Sequence, residues 1–242
     1  MSLELLNAAG RVLLLSGASG GIGRKISELY IAAGGKVAAL DLTPPAETAE
    51  LFPIACDATD EAALNQAVAD AIGRFGRIDA LVHAAGIVGK GALADMALED
   101  WRRVMDANLT SAFLIARAAY PHLRKAKGAA VFLGSTNGRN GGSHLSGAAY
   151  ASAKAAIANL TRYLAKEWAP DVRVNVVAPG PVRTPMLDRL PQAELDALKS
   201  LMLTGDLIEA EDVAASIAFL LSEHARSITG ACLNLSGGMV LD

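Results

Sequence analysis

Short, wholly apolar runs alternate along the chain with longer stretches in which apolar residues recur every three or four positions. Val12, Leu13, Leu14 and Leu15 are apolar without interruption and run into a glycine cluster. That pattern predicts a strand buried on both faces at 11–16, followed by a helix reaching about Ala33. The same reading predicts strands at 36–41, 52–56, 79–83, 129–134, 172–178 and 231–235. Asp60 is the expected N-cap of a helix ending near Phe75. A long helical region at 98–123, broken into two, and helices at 149–168 and 209–221 complete the set. Between the second and third strands Pro44 and Pro45 leave space for little more than one helical turn. A polar, proline-containing segment occupies 179–206.

Apolar strands separated by helices imply an α/β, doubly wound Rossmann fold, a seven-stranded parallel sheet with helices on both faces. At 242 residues, with 52% hydrophobic content, the chain is expected to form a single domain, residues 1–242. A net charge of −3 offers no basic surface for nucleic acid. The two cysteines, Cys56 and Cys232, have no metal-ligand spacing, so no metal is expected and a reducing, cytoplasmic setting fits. No signal peptide is evident, and no apolar run is long enough to cross a membrane.

Directly after the first strand stands Ser16-Gly17-Ala18-Ser19-Gly20-Gly21-Ile22-Gly23. Glycines let a backbone approach a pyrophosphate, and a helix N-terminus presents unpaired N–H groups to it. Gly17, Ser19, Gly21, Ile22 and Gly23 are therefore candidate cofactor contacts; the plain alternative is a tight strand-to-helix turn without a ligand. Asp41 ends the second strand, where an acid grips ribose hydroxyls and repels a 2′-phosphate, so NAD is expected over NADP. The alternative is an aspartate that caps a turn.

Tyr150 and Lys154 stand four residues apart and share one helix face. A phenol that titrates near pH ~10 is a poor base at neutrality, and a neighbouring ammonium would favour the phenolate. Together with the glycine loop and Asp41, Tyr150-Ala151-Ser152-Ala153-Lys154 resembles the short-chain dehydrogenase/reductase family over essentially the whole chain. The resemblance implies Tyr150 as acid/base, Ser135 as hydrogen-bond partner of the substrate oxygen, Lys154 on the nicotinamide ribose, and Asn108 in a water-linked proton relay. It places Asp57 and Ala58 beside adenine, with His83, Ala84 and Gly86 near the cofactor. Pro179, Gly180, Val182 and Thr184 would hold the carboxamide, and Thr229-Gly230 and Ser236-Gly237-Gly238 match the family's ending.

Three features depart from the family pattern. His83-Ala84-Ala85-Gly86 stands where Asn-Asn-Ala-Gly is common, so His83 reads as a structural substitute rather than a base. Ser135 and Tyr150 are further apart than is usual, which enlarges the loop 138–147. Strict spacing would put Asn137 in the serine's place, but Gly134-Ser135 at a strand end selects Ser135. The segment between the second and third strands is short. His144 and Met186, with Ser135 and Tyr150, are the expected substrate contacts, although His144 also reads as a solvated loop residue. The resemblance implies a small-molecule secondary alcohol or ketone as substrate, and a homotetramer as the family default. The alternatives are a 3-oxoacyl thioester reductase, a cofactor-binding regulatory protein without turnover, and a methyltransferase, which leaves the Tyr-Lys pair unexplained.

Overall fold

The computed structural model describes residues 6–185 and 187–241. Met186, expected at the substrate, lies outside the described residues. Strands β1 (Val12–Ser16), β2 (Lys36–Asp41), β3 (Leu51–Ala55), β4 (Ala80–His83), β5 (Ala129–Leu133) and β6 (Arg173–Pro179) form most of a sheet. A two-stranded ribbon, β7 (Val182–Arg183) and β8 (Ile208–Glu209), stands apart, and β9 (Cys232–Leu235) closes the main sheet. The order is β3-β2-β1-β4-β5-β6-β9, seven strands, every pairing parallel. The chain winds outward from β1 in both directions, so the strand order reverses between β1 and β4.

Alternation within each strand divides the core. Leu13 and Leu15 project with Val37, Val82 and Val131 toward α1 (Gly21–Ala32), which supplies Ile26 and Tyr30. Leu14, Leu81 and Phe132 project the other way, onto α2 (Glu61–Phe75) through Leu64. All of these are buried, and each large apolar side chain removed from water stabilises the fold by roughly 1.5–3 kcal/mol. Asp60 caps α2 as expected, accepting from the amides of Ala62 (2.8 Å) and Ala63 (3.1 Å), which contributes about 1 kcal/mol.

The helical region after β4 is α3 (Leu98–Met105), a π-helical turn (Asp106–Thr110) and α4 (Ser111–Ala126). The break expected in 98–123 is thus a local widening of one continuous helical path rather than a loop. After β5 comes one helical turn, α5 (Asn137–Asn140), within the loop that the longer Ser-to-Tyr spacing implied, and then α6 (Gly147–Glu167). Gly138 permits this arrangement: a Cβ there would lie 2.7 Å from the backbone of Lys154 and Ala155. The polar segment after β6 contains β7 and α7 (Gln192–Ser200), and α8 (Ala210–Leu221) packs beside α1. Between β2 and β3 there is no helix. Leu42 to Glu50 is bends and irregular backbone, because two prolines in so short a crossover remove donors a helical turn needs.

Candidate active site

The carboxyl ends of β1, β2, β4, β5 and β6 face one cleft of about 1490 Å³. Ser16, Asp41, Ala84, Leu133 and Pro179, at or just beyond those ends, lie on its wall. On one side, α1 opens at Gly21 with its N-terminus toward the cleft. Gly23 lets the helix sit down on the loop before it: a Cβ would fall 2.1 Å from the Gly17 carbonyl oxygen. Asp41 braces the same loop. One carboxylate oxygen accepts from the Ser19 amide at 3.0 Å and the other from the Thr43 amide at 3.2 Å, while the Ser19 hydroxyl donates to the Thr43 carbonyl at 2.6 Å. Asp41 is therefore a turn cap by geometry, and a carboxylate's remaining lone pairs leave it able to accept from ribose hydroxyls as well.

Across the cleft, β5 delivers Ser135 and α6 delivers Tyr150 and Lys154. Lys154 is almost fully buried and donates to the Leu133 carbonyl at 2.8 Å; its Nζ lies 5.5 Å from the centre of the Tyr150 ring. Burial pushes the lysine down to about 7. Burial also pushes the Tyr150 phenol up, opposed by a hydrogen bond with the Ser135 side chain. The ammonium reaches past the ring to a backbone carbonyl, and the low-dielectric wall that shields the pair disfavours both charged forms.

Asn108 sits in the π-helical turn with no exposed surface. Its Nδ2 donates to the carbonyls of Ile87 (2.8 Å) and Val104 (2.9 Å), which leaves Oδ1 buried and without a partner. Near it a Cβ on Gly86 would lie 2.4 Å from Oδ1 and 3.6 Å from Lys154 Nζ. A helix-start cradle, a carboxylate at the β2 end and an orphaned buried acceptor beside an ammonium fit a nicotinamide dinucleotide.

A family model described as enoyl-(acyl carrier protein) reductase matches residues 17–240. A crystal structure of a short-chain dehydrogenase/reductase from Brucella melitensis, titled a glucose/ribitol dehydrogenase, superposes with a TM-score of 0.93 at 33% identity, covering 98% of this chain and 99% of that one. The chain belongs to the short-chain dehydrogenase/reductase family. It is also similar to a 3-oxoacyl-[acyl-carrier-protein] reductase of Thermotoga maritima, 33% identical over 96% of this chain and 98% of that protein. A 2-dehydro-3-deoxy-L-rhamnonate dehydrogenase (NAD(+)) of a Sphingomonas species is 33% identical over 98% of both chains.

Within this short-chain dehydrogenase/reductase, the residues expected at the cofactor and the substrate line the cleft, with two exceptions among those named. Met186 lies outside the described residues, and His83 does not reach the cleft surface. His83 ends β4 with no exposed surface, turned into the core, and burial together with the Lys154 charge pushes its pKa down to about 3. His83, expected near the cofactor as a structural substitute, does not line the cleft as a cofactor contact would: the strand's alternation sends position 83 inward and position 84 to the cleft. Asp57 is exposed on the wall and accepts from the Thr59 amide and hydroxyl at 2.9 and 2.7 Å. His144 is exposed at the cleft mouth, where its carbonyl accepts from the Gly91 amide.

Sequence reasoning missed three groups. Ser16 and Ser111 hold the His83 ring, and Arg189 donates to the Leu145 carbonyl at 3.0 Å, joining two segments of the cleft wall. Ser111 follows Asn108 by three residues, so helical spacing placed it on nearly the same face. Nothing in the sequence around Arg189 marks its partner.

Proposed function

We propose that this enzyme transfers a hydride between a secondary alcohol and its ketone with NAD as cofactor. The observation that carries the reading is the convergence of Ser135, Tyr150 and Lys154 on one wall of the cleft whose opposite wall is the glycine-loop helix. NAD, bound along that cleft, supplies the carbon that accepts or returns the hydride. Ser135 donates to the substrate oxygen and holds it against Tyr150. The Tyr150 hydroxyl takes the alcohol proton in oxidation and returns it in reduction. Lys154 stands beside the phenol and holds positive charge where phenolate character develops. Asn108 Oδ1, buried and without a partner, supplies an acceptor for a water-linked proton relay to Lys154. Asp41 favours NAD, since a 2′-phosphate would meet its carboxylate.

The test is NADH formation from NAD⁺ over a panel of sugar-derived, aliphatic, steroid and hydroxy-acid secondary alcohols. Tyr150→Phe is expected to lower kcat by about 10²–10⁴-fold with NADH still bound. Equal turnover by the variant would overturn the assignment, and tighter binding of NADPH than NADH would overturn the cofactor choice.

A second reading, reduction of a 3-oxoacyl thioester, is favoured by the similarity to the Thermotoga reductase. Asp41 stands against it, because that role goes with NADPH. Faster reduction of acetoacetyl thioester with NADPH than any alcohol oxidation with NAD⁺ would decide for it. Any turnover at all excludes a purely regulatory protein. A homotetramer in a cytoplasmic setting, built from one domain per chain, completes the proposal; no helix among the described residues is long and apolar enough to cross a membrane.

A further inference from the structure

We propose that His83 is a positioning residue: its imidazole ties the end of β1 to the π-helical turn and thereby sets where Asn108 stands beside Lys154. The consequence for catalysis rests on the function proposed above; the tie itself does not.

The ring touches three elements. Nδ1 lies 2.7 Å from the Ser16 hydroxyl, at the end of β1. Nε2 lies 3.2 Å from the Ser111 hydroxyl, at the start of α4, and 3.4 Å from the Asn108 carbonyl oxygen, in the turn. The tautomer follows from the partners. The Asn108 carbonyl can only accept, and the Ser111 hydroxyl already donates to the Ala107 carbonyl at 2.9 Å. Nε2 therefore carries the proton and donates, and Nδ1 accepts from Ser16. Full burial, with the Lys154 charge nearby, keeps the ring neutral and in that one tautomer across the working pH range.

A π-helical turn sets its carbonyls wide of the regular ladder, so an outside donor has more to contribute there than in an α-helix. This turn also carries the Asn108 side chain, whose Nδ2 is spent on Ile87 and Val104 and whose Oδ1 is buried without a partner next to Gly86, which also neighbours Lys154 Nζ. A rotation of the turn that lost the His83 bond would redirect that oxygen. An asparagine at 83, the residue common in the family, offers an amide at the position of Nδ1 and so reaches Ser16 but not the turn. A glutamine offers its amide at the position of Nε2 and reaches the turn.

That difference supplies the experiment. Amide hydrogen exchange over residues 106–111 is measured for the wild type, His83→Asn and His83→Gln, with NADH titration and steady-state kinetics beside it. His83→Asn is expected to raise exchange in the turn about tenfold, the effect of losing one buried hydrogen bond. It is expected to lower kcat by about tenfold, with KM and the NADH Kd within about twofold, and His83→Gln to recover most of both losses. Unchanged exchange in His83→Asn overturns the proposal. Equal damage in the two variants also overturns it, since packing volume rather than the directed bond would then be responsible. Weakened NADH binding with kcat intact assigns His83 to the cofactor instead. Should His83→Asn fail to fold, Ser16→Ala releases the anchored end of the ring, and exchange in the turn that does not rise overturns the tie. Exchange is read without substrate, so absence of turnover on every alcohol counts against the proposed function alone.

Discussion

His83 and Lys154 are two basic side chains buried within one hydrogen-bonded neighbourhood, and neither has a carboxylate partner among the described contacts. Their pKa values therefore fall, and the fall has a sign in stability. His83 titrates at about 3 in the folded chain against 6.5 when solvated, so the unfolded chain binds more protons between those values. Its contribution is complete above pH 6.5 and is lost progressively as pH drops toward 3. Lys154, at about 7 against 10.5, adds stability as pH rises through that higher window. Melting temperatures measured from pH 4 to 7 are expected to fall less steeply for His83→Asn than for the wild type, whatever the offset between them at pH 7. Parallel curves would mean the imidazole is not held neutral. The pairing of Tyr150 and Lys154 was legible in the sequence because spacing on a helix is a local property, whereas Ser135 and Asn108 were reached only through the resemblance to the family. The inward turn of His83 was not legible, because it depends on which face of β4 meets α4.

At the scale of elements, the start of α1 is the most constrained junction in the cofactor half. Gly23 lies so close to the Gly17 carbonyl that an added Cβ would stand 2.1 Å from it, with backbone rather than a flexible side chain as the obstacle. Gly23→Ala is expected to move the helix off its loop, weaken NADH at least tenfold by fluorescence titration, and lower stability by about 1–3 kcal/mol. Wild-type affinity in that variant would show that the junction yields without cost. Strand and helix positions were readable from periodicity, including the Asp60 cap and the missing room between β2 and β3. The form of the break before α4 was not readable, since a π-helical turn preserves nearly the same pattern of apolar positions as an uninterrupted helix. The ribbon of β7 and β8 was missed because two-residue strands carry no periodicity of their own.

For the whole molecule, several large apolar side chains are left in solvent, three of them on helices α3, α4 and α6. Leu98 on α3, Phe113 on α4 and Tyr163 on α6 are 62%, 46% and 61% exposed. Such surface is costly for an isolated chain, and it agrees with the proposed assembly. Light scattering is expected to give four times the mass of one chain, with Phe113→Glu and Tyr163→Glu together reducing that mass. A monomeric wild type at micromolar concentration would remove the assembly from the reading.

The sequence by itself determined the order of strands and helices and, through its ordered motifs, the family, because each of these depends on neighbours within a few positions. Only the tertiary structure decided which side of each strand meets the cleft, that burial disfavours the charged forms of both Tyr150 and Lys154, and that His83 bridges β1 to the turn carrying Asn108. These outcomes depend on groups tens of residues apart being brought within about 3 Å, where desolvation and directed hydrogen bonds act.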